Sequence, residues 1–259
     1  MSYKRIPLLE KNFDKIYWAY LPINPKLNFK TINLNKISAL WRGVCYRKNN
    51  LPNSIVSIKT LLCVQKLILS NKSTDGRTNS CIDEDIIIEE LKQKYVNRLY
   101  VPETRHWFDC AIFDYKYGWL PINIKTTTTT TSDNTGNLAM CMYAITNYNM
   151  DLKKSYQNGL ISKKLIEYLK NKKYNTQYKR DYYFVVINKN DLSIIINSVN
   201  GLTKLTPNIN NLPFQVKWCD NQTFKYKKIT DVIAIILNAI KKPQPSWRED
   251  FLCEIRQIE

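Results

Sequence analysis

The sequence predicts one mixed α/β domain, with a central sheet flanked by helices. Helical and strand-like apolar patterns alternate along the chain, which is typical of this class. No internal repeat or long linker divides the 259 residues, and an apolar share of 44% is enough for one large core. We therefore expect a single domain over residues 1–259, with its core at about residues 83–189 and elaborations at 1–80 and 200–259.

The N-terminal third begins with an irregular, proline-punctuated segment at residues 1–36. Apolar residues at helical spacing predict a helix over 54–69, and the polar segment 70–80, which contains Arg77, predicts a loop. A second helix is expected at 83–96, because acids open this segment and lysines close it. It carries Glu89 and Glu90.

Two short apolar runs, residues 107–113 and 119–125, flank the segment Asp-Tyr-Lys-Tyr-Gly at 114–118. This pattern predicts a β-hairpin whose turn is closed by Gly118. A run of six threonines follows the second strand. It is the only low-complexity feature of the chain.

The rest of the chain alternates helices and strands. Helices are predicted at 138–148, 161–172 and 229–242, the last of them stopped by prolines, and strands at 182–189, 192–199 and 214–218. A final helix is expected after Ser246, which forms a capping box with Glu249.

Composition restricts the function. Seven scattered cysteines without a CxxC pair predict reduced, mostly buried thiols, and the single histidine, His106, cannot build a multi-histidine metal site. Metal chemistry must therefore depend on carboxylates.

No run of about eighteen apolar residues is present, so we expect a cytosolic protein without a membrane span. The net charge of +17 indicates a nucleic-acid partner, although an AT-rich coding sequence also enriches lysine.

Counting residues outward from the turn places three polar side chains on one face of the hairpin. If the turn is centred on Lys116, Asp109 pairs with Asn123, and Lys125 shares their face by the period of two. Mg²⁺ needs oxygen ligands, for which Asp109 and the carbonyl of Ile124 are candidates, and a lysine suits the charge that grows on a phosphate. Glu89 or Glu90 would complete the metal shell. The alternative is structural: Asp109 and Lys125 form a cross-strand ion pair.

The order of these features resembles the PD-(D/E)xK nuclease superfamily, which includes many type II restriction endonucleases. Over about residues 83–189 the chain carries, in this order, a helix glutamate, a strand aspartate, a hairpin, an acid-x-lysine strand, a helix and an apolar strand. The resemblance implies a restriction-endonuclease-like core, catalytic roles for Asp109, Asn123 and Lys125, and metal ligation by Asp109, Asn123, Ile124 and Glu89 or Glu90. It also implies Mg²⁺ as cofactor, double-stranded DNA as substrate and a homodimer, since two-fold symmetry suits the cutting of both strands.

The sequence departs from the family pattern at two positions. Asn123 is neutral where the family has an acid, and Phe108 stands where a proline usually precedes the first acid. The charge lost at Asn123 is expected to lower the metal affinity unless Asp114, Glu89 or Glu90 compensates for it.

Polar residues around the active-site strand are candidate DNA contacts, because hydroxyl and amide groups suit phosphates and base edges. They are Thr126, Thr127, Thr128, Ser132, Asn134 and Arg77. Two other functions stay open: a non-catalytic DNA-binding protein on a degenerate nuclease fold, and an RNA-directed or structure-specific nuclease with the same core.

Overall fold

The computed structural model describes residues 51–64, 69, 76–176, 180–208, 213–241 and 249–258. The helices are α1 (Asn53–Val64), α2 (Gly76–Lys94), α3 (Leu138–Ile145), α4 (Asn158–Lys170), α5 (Ile229–Ile240) and α6 (Glu249–Arg256). The strands are β1 (Leu99–Tyr100), β2 (Cys110–Asp114), β3 (Gly118–Thr127), β4 (Ser132–Asp133), β5 (Tyr183–Asn188), β6 (Ile194–Ser198), β7 (Leu205–Thr206) and β8 (Gln215–Lys217).

The prediction of a mixed α/β fold is confirmed. A five-stranded sheet has the order β1-β2-β3-β5-β6, in which β3 and β5 are parallel and all other neighbours are antiparallel. Helices α3 and α4 lie between β3 and β5 in the chain and provide the long connection that parallel strands require. A second sheet, β4-β8-β7, is antiparallel and was not predicted, because two of its three strands are only two residues long.

The central sheet is buried on both faces, and successive side chains along its strands point alternately into two apolar clusters. Ile122, Ile124 and Val185 pack with α1 and α2 on one face. Phe184 and Val186 pack with α3, α5 and the small sheet on the other face. Burial on both faces explains why β5 is a continuous apolar run rather than an alternating one.

The hairpin prediction is confirmed in its register. Cys110 pairs with Ile122 and Asp114 with Gly118, so the turn is centred on Lys116. Gly118 has a φ of 74°, a conformation that glycine adopts without steric cost. The predicted helices α3, α4 and α5 and strands β5, β6 and β8 also occur, with ends shifted by a few residues.

The predicted loop at 70–80 is partly wrong. Helix α2 begins at Gly76, seven residues before the predicted start, so residues 76–80 are helical. The side chains explain the difference: Ser80 donates a hydrogen bond to the Thr126 carbonyl (3.1 Å), and Asn79 is buried. Tertiary packing therefore overrides the weak helix propensity of this segment. Residues 1–36, 65–68, 70–75 and Ser246 of the predicted capping box lie outside the described residues.

The prediction of mostly buried thiols is wrong for the described residues. Cys110 and Cys141 are buried, Cys219 is partly buried, and Cys63, Cys81 and Cys253 are exposed. In the described part of the chain, no helix is both long enough and apolar enough to cross a membrane.

Candidate active site

The hairpin opens at Asp109, directly before β2. The backbone N–H of Asp109 donates to the carbonyl of Ile122 (3.0 Å), and its Oδ2 accepts from the backbone N–H of Ile124 (2.7 Å). Strand β3 runs on to Thr127, whereas β2 begins only at Cys110. The carboxylate of Asp109 therefore accepts a hydrogen bond from the part of β3 that β2 does not reach.

Asn123 and Lys125 lie on the face of β3 opposite to Ile122 and Ile124, because side chains alternate along a strand. Asn123 is 9% exposed, and within the described structure its amide oxygen is buried without a hydrogen-bond partner. A buried oxygen in this state carries an uncompensated desolvation cost. Such a cost is typical of a position that a ligand or ion satisfies.

Lys125 forms its ion pair with Glu84, not with Asp109. Its Nζ lies 3.2 Å from Oε1 and 3.4 Å from Oε2 of Glu84, which is presented by α2. The two side chains are only 21% and 17% exposed. Asp109 forms no direct ion pair with Lys125 in the described structure, although its charge acts on the ammonium, and its carboxylate instead accepts the hydrogen bond from Ile124.

The site keeps its lysine charged and its acids easily protonated. Burial alone would lower the pKa of Lys125, but the carboxylates of Asp109, Glu84 and Asp133 outweigh it and leave that pKa raised. Burial raises the pKa of Glu84 to about 7, against the opposing effect of Lys125. Burial likewise raises the pKa of Asp109, although Lys125 and the Ile124 N–H oppose it. These are the perturbations expected where charges await a ligand.

Asp133 is a third carboxylate near Lys125, and it comes from the second sheet. Its Oδ2 accepts a hydrogen bond from the indole Nε1 of Trp218 (3.3 Å), and its charge raises the pKa of both Glu84 and Lys125. The sequence reasoning assigned no role in the site to Asp133 or to Glu84.

Neither of the predicted upstream glutamates, Glu89 and Glu90, forms the ion pair with Lys125. Glu89 is exposed and bonded to Lys92 one turn later, and the acid that meets Lys125 is Glu84. A signal for Glu84 was present in the sequence. It precedes the buried Ile87 by three residues and the buried Leu91 by seven, which places it on the same helix face.

Asp114 does not compensate for the neutral Asn123. It lies at the turn, at the other end of the hairpin, where its carboxylate accepts four hydrogen bonds from Ser54, Lys116 and Tyr117.

The candidate DNA contacts are placed unevenly. Thr126 is buried, so its hydroxyl does not reach the surface, whereas Thr127 and Thr128 are half-buried. Ser132 and Asn134 are exposed on the second sheet, and the Asn134 Oδ1 accepts from Gln215 (2.8 Å). Arg77 lies in α2, but its side chain is outside the described part of the structure.

The donor set suits a hard divalent cation. Asp109 offers a carboxylate and Asn123 an unpartnered amide oxygen, and the carbonyl of Ile124, whose N–H bonds to Asp109, is the third candidate oxygen. Oxygen ligands of this kind fit Mg²⁺. Among the described residues no three His, Cys, Asp or Glu side chains lie close enough to hold a metal ion, so the amide and the carbonyl would be essential members of the shell.

Comparison of the sequence with known proteins identifies no family. No model of a protein family matches the sequence, and no curated protein matches it significantly.

Proposed function

We propose that this protein is a Mg²⁺-dependent endonuclease that hydrolyses phosphodiester bonds of double-stranded DNA, of the site-specific type II restriction kind. The observation that carries the proposal is the open end of the hairpin. There Asp109, the unpartnered oxygen of Asn123 and the ammonium of Lys125 share one side of the active-site strand, with Glu84 against Lys125.

The topology supports a restriction-endonuclease-like core of the PD-(D/E)xK type. A helix that carries an acid precedes an antiparallel meander β1-β2-β3, and helices then lead to β5, which is parallel to β3. The net charge of +17 supports a polyanionic substrate. A homodimer belongs to the proposal because it would cut both strands of a duplex at a symmetric site.

The residues of the chain would divide the chemistry. Asp109, Asn123 and the carbonyl of Ile124 would hold Mg²⁺, which would polarise the scissile phosphate and favour ionisation of a bound water. Lys125 would orient the attacking water and stabilise the negative charge that grows on the phosphate. Glu84 would hold the ammonium of Lys125 in place until DNA arrives, since the two already form an ion pair.

The test is to incubate the protein with long duplex DNA and Mg²⁺. We expect discrete fragments, loss of cutting with EDTA, and loss with Lys125→Ala. Lys164→Ala is the matched control, because Lys164 is an exposed lysine of α4 paired with Glu167. Smearing would indicate a nonspecific nuclease. Cutting that survives Lys125→Ala would overturn the catalytic assignment.

One observation favours a second function, a non-catalytic DNA-binding protein on the same fold. Asn123 lacks the charge that a metal-binding strand normally provides, and the ammonium of Lys125 is already engaged in an ion pair with Glu84. This candidate predicts DNA binding without cutting and no effect of Mg²⁺. If Asn123→Asp raised cutting or lowered the Mg²⁺ requirement, the nuclease would be favoured instead.

A further inference from the structure

Asp133 lies over the Asn123 face of the central sheet, although it belongs to the second sheet. The indole of Trp218 that bonds its carboxylate is fully buried, and the ring of Trp218 packs 5.2 Å from the ring of Phe184. Phe184 is the partner of Asn123 across the parallel pair β3–β5. A chain of direct contacts therefore connects Asp133 with the face that carries Asn123 and Lys125.

The orientation of Asp133 is inward. It pairs with Val216 across β4 and β8, and Val216 is buried in the same apolar cluster as Phe184. Its neighbour Ser132 points outward and is exposed. Asp133 is thus not an acid of a solvated surface, and a partly buried charge is retained only where something compensates for its desolvation.

The hydrogen bond from Trp218 provides part of that compensation, and the charge of Lys125, on the face that Asp133 overlies, provides another part. Two carboxylates, Asp109 and Glu84, act on the ammonium of Lys125 from the central sheet and α2, and Asp133 is the third. With all groups ionised the site carries two net negative charges, and without Asp133 it would carry one. The position that would ordinarily provide the further negative charge holds Asn123, whose amide oxygen is buried and unpartnered.

We propose that Asp133 supplies, from the second sheet, the negative charge that Asn123 lacks on the active-site strand, and that this charge keeps the site able to bind a divalent cation. The inference rests on the proposed function and identifies Asp133 as a positioning residue for it. Asp133 acts through space or through a bound water, because among the described residues no three acids are close enough to share a metal ion directly.

The experiment measures Mn²⁺ binding to the full-length protein without DNA, by the loss of the electron paramagnetic resonance signal of free Mn²⁺. Asp133→Asn should weaken binding by about tenfold, because one charge near a divalent ion is removed in a partly buried site. Asn123→Asp in the Asp133→Asn background should restore binding to about the wild-type value. Asp133→Glu, which keeps the charge, should change it by less than about threefold.

The matched control is Asp220→Asn. Asp220 follows β8 and forms an ion pair with Lys204, which is 68% exposed. This change removes the same charge from a carboxylate that is paired with an exposed lysine instead of facing Lys125, so Mn²⁺ affinity should not change. Asparagine at position 133 can still accept the hydrogen bond from Trp218. Near-ultraviolet circular dichroism, which reports on buried Trp218, verifies the fold, and Asp133→Ser serves as a second neutral variant.

Three results would overturn the proposal: no Mn²⁺ binding by the wild type, unchanged affinity in folded Asp133→Asn or Asp133→Ser, or a loss that Asn123→Asp fails to rescue. Failure of the proposed function looks different. If Mn²⁺ affinity responds as expected and no variant cuts DNA, the cation site stands and the nuclease does not. If the wild type cuts DNA and neutral variants at position 133 cut and bind Mn²⁺ equally well, the nuclease stands and the role of Asp133 is lost.

Discussion

The two ends of one hairpin hold an aspartate each, and the two aspartates are in opposite states. At the turn, Asp114 is 4% exposed, and its two carboxylate oxygens accept four hydrogen bonds. At the open end, Asp109 accepts one bond from Ile124, beside an amide oxygen of Asn123 that has none. A fully bonded carboxylate has no capacity left for a ligand, so residue type alone does not mark a functional acid.

The backbone shows the same contrast. The turn uses a glycine at positive φ, Gly118, where no neighbouring atom restricts it. Beyond the open end, Thr129 holds a φ of 61°, which is a costly conformation for a β-branched residue. Its carbonyl accepts a hydrogen bond from Cys219, which fixes the connection to the second sheet. Backbone strain is thus present beyond the open end and avoided at the turn.

The largest expected effect is on DNA cleavage, and it distinguishes Asp109 from Asp114. Asp109→Asn should reduce DNA cleavage by about a thousandfold, because a metal ligand worth several kcal/mol of transition-state stabilisation is lost. Stability at pH 8 should rise, since burial raises the pKa of Asp109 and makes its charged form costly. Initial cleavage rates and urea unfolding measure both effects. Retention of more than about a tenth of the activity would contradict the role of Asp109.

Asp114→Ala should have the reverse effect, a loss of about 3 kcal/mol in the free energy of unfolding. The change leaves the buried N–H and hydroxyl of Ser54 without their acceptor and removes two bonds that fix the turn. Urea unfolding provides the measurement, and cleavage per folded molecule should stay near the wild-type value. A stable but inactive Asp114→Ala protein would show that the two ends are not functionally separate.

The pH dependence of stability tests the charge state of the open end. Since the pKa of Glu84 is raised from 4.5 to about 7, the folded protein retains a proton that the unfolded chain releases between these values. The free energy of unfolding should therefore fall as pH rises from about 4.5 to 7, by about 3 kcal/mol. Glu84→Gln should remove most of this fall, whereas Glu89→Gln, a change at an exposed site, should not.

The smallest effect concerns the turn. Gly118→Ala should lower the free energy of unfolding by about 1 kcal/mol, purely because alanine disfavours positive φ. Gly159→Ala in α4 is a control of opposite sign, because that glycine is helical and has open space around its Cα. Cleavage should not change in either variant. A cleavage defect in Gly118→Ala would mean that the turn communicates with the open end.

The sequence by itself determined the hairpin and its register, because both depend on local rules. A three-residue turn between the paired Asp114 and Gly118 and the period of two along a strand place Asn123 and Lys125 on one face, with Asp109 at the open end, without reference to the rest of the chain. The apolar strand β5 and helix α5 were equally readable from their patterns.

Only the tertiary structure decided which acids join Lys125. Glu84 is selected over Glu89 by how α2, lengthened at its N-terminus, packs on the sheet. Asp133 is selected because Trp218, 85 residues further along the chain, bonds its carboxylate within the second sheet. A charge interacts with whatever lies near it in space, and that set of neighbours is a property of the packed fold rather than of any local pattern.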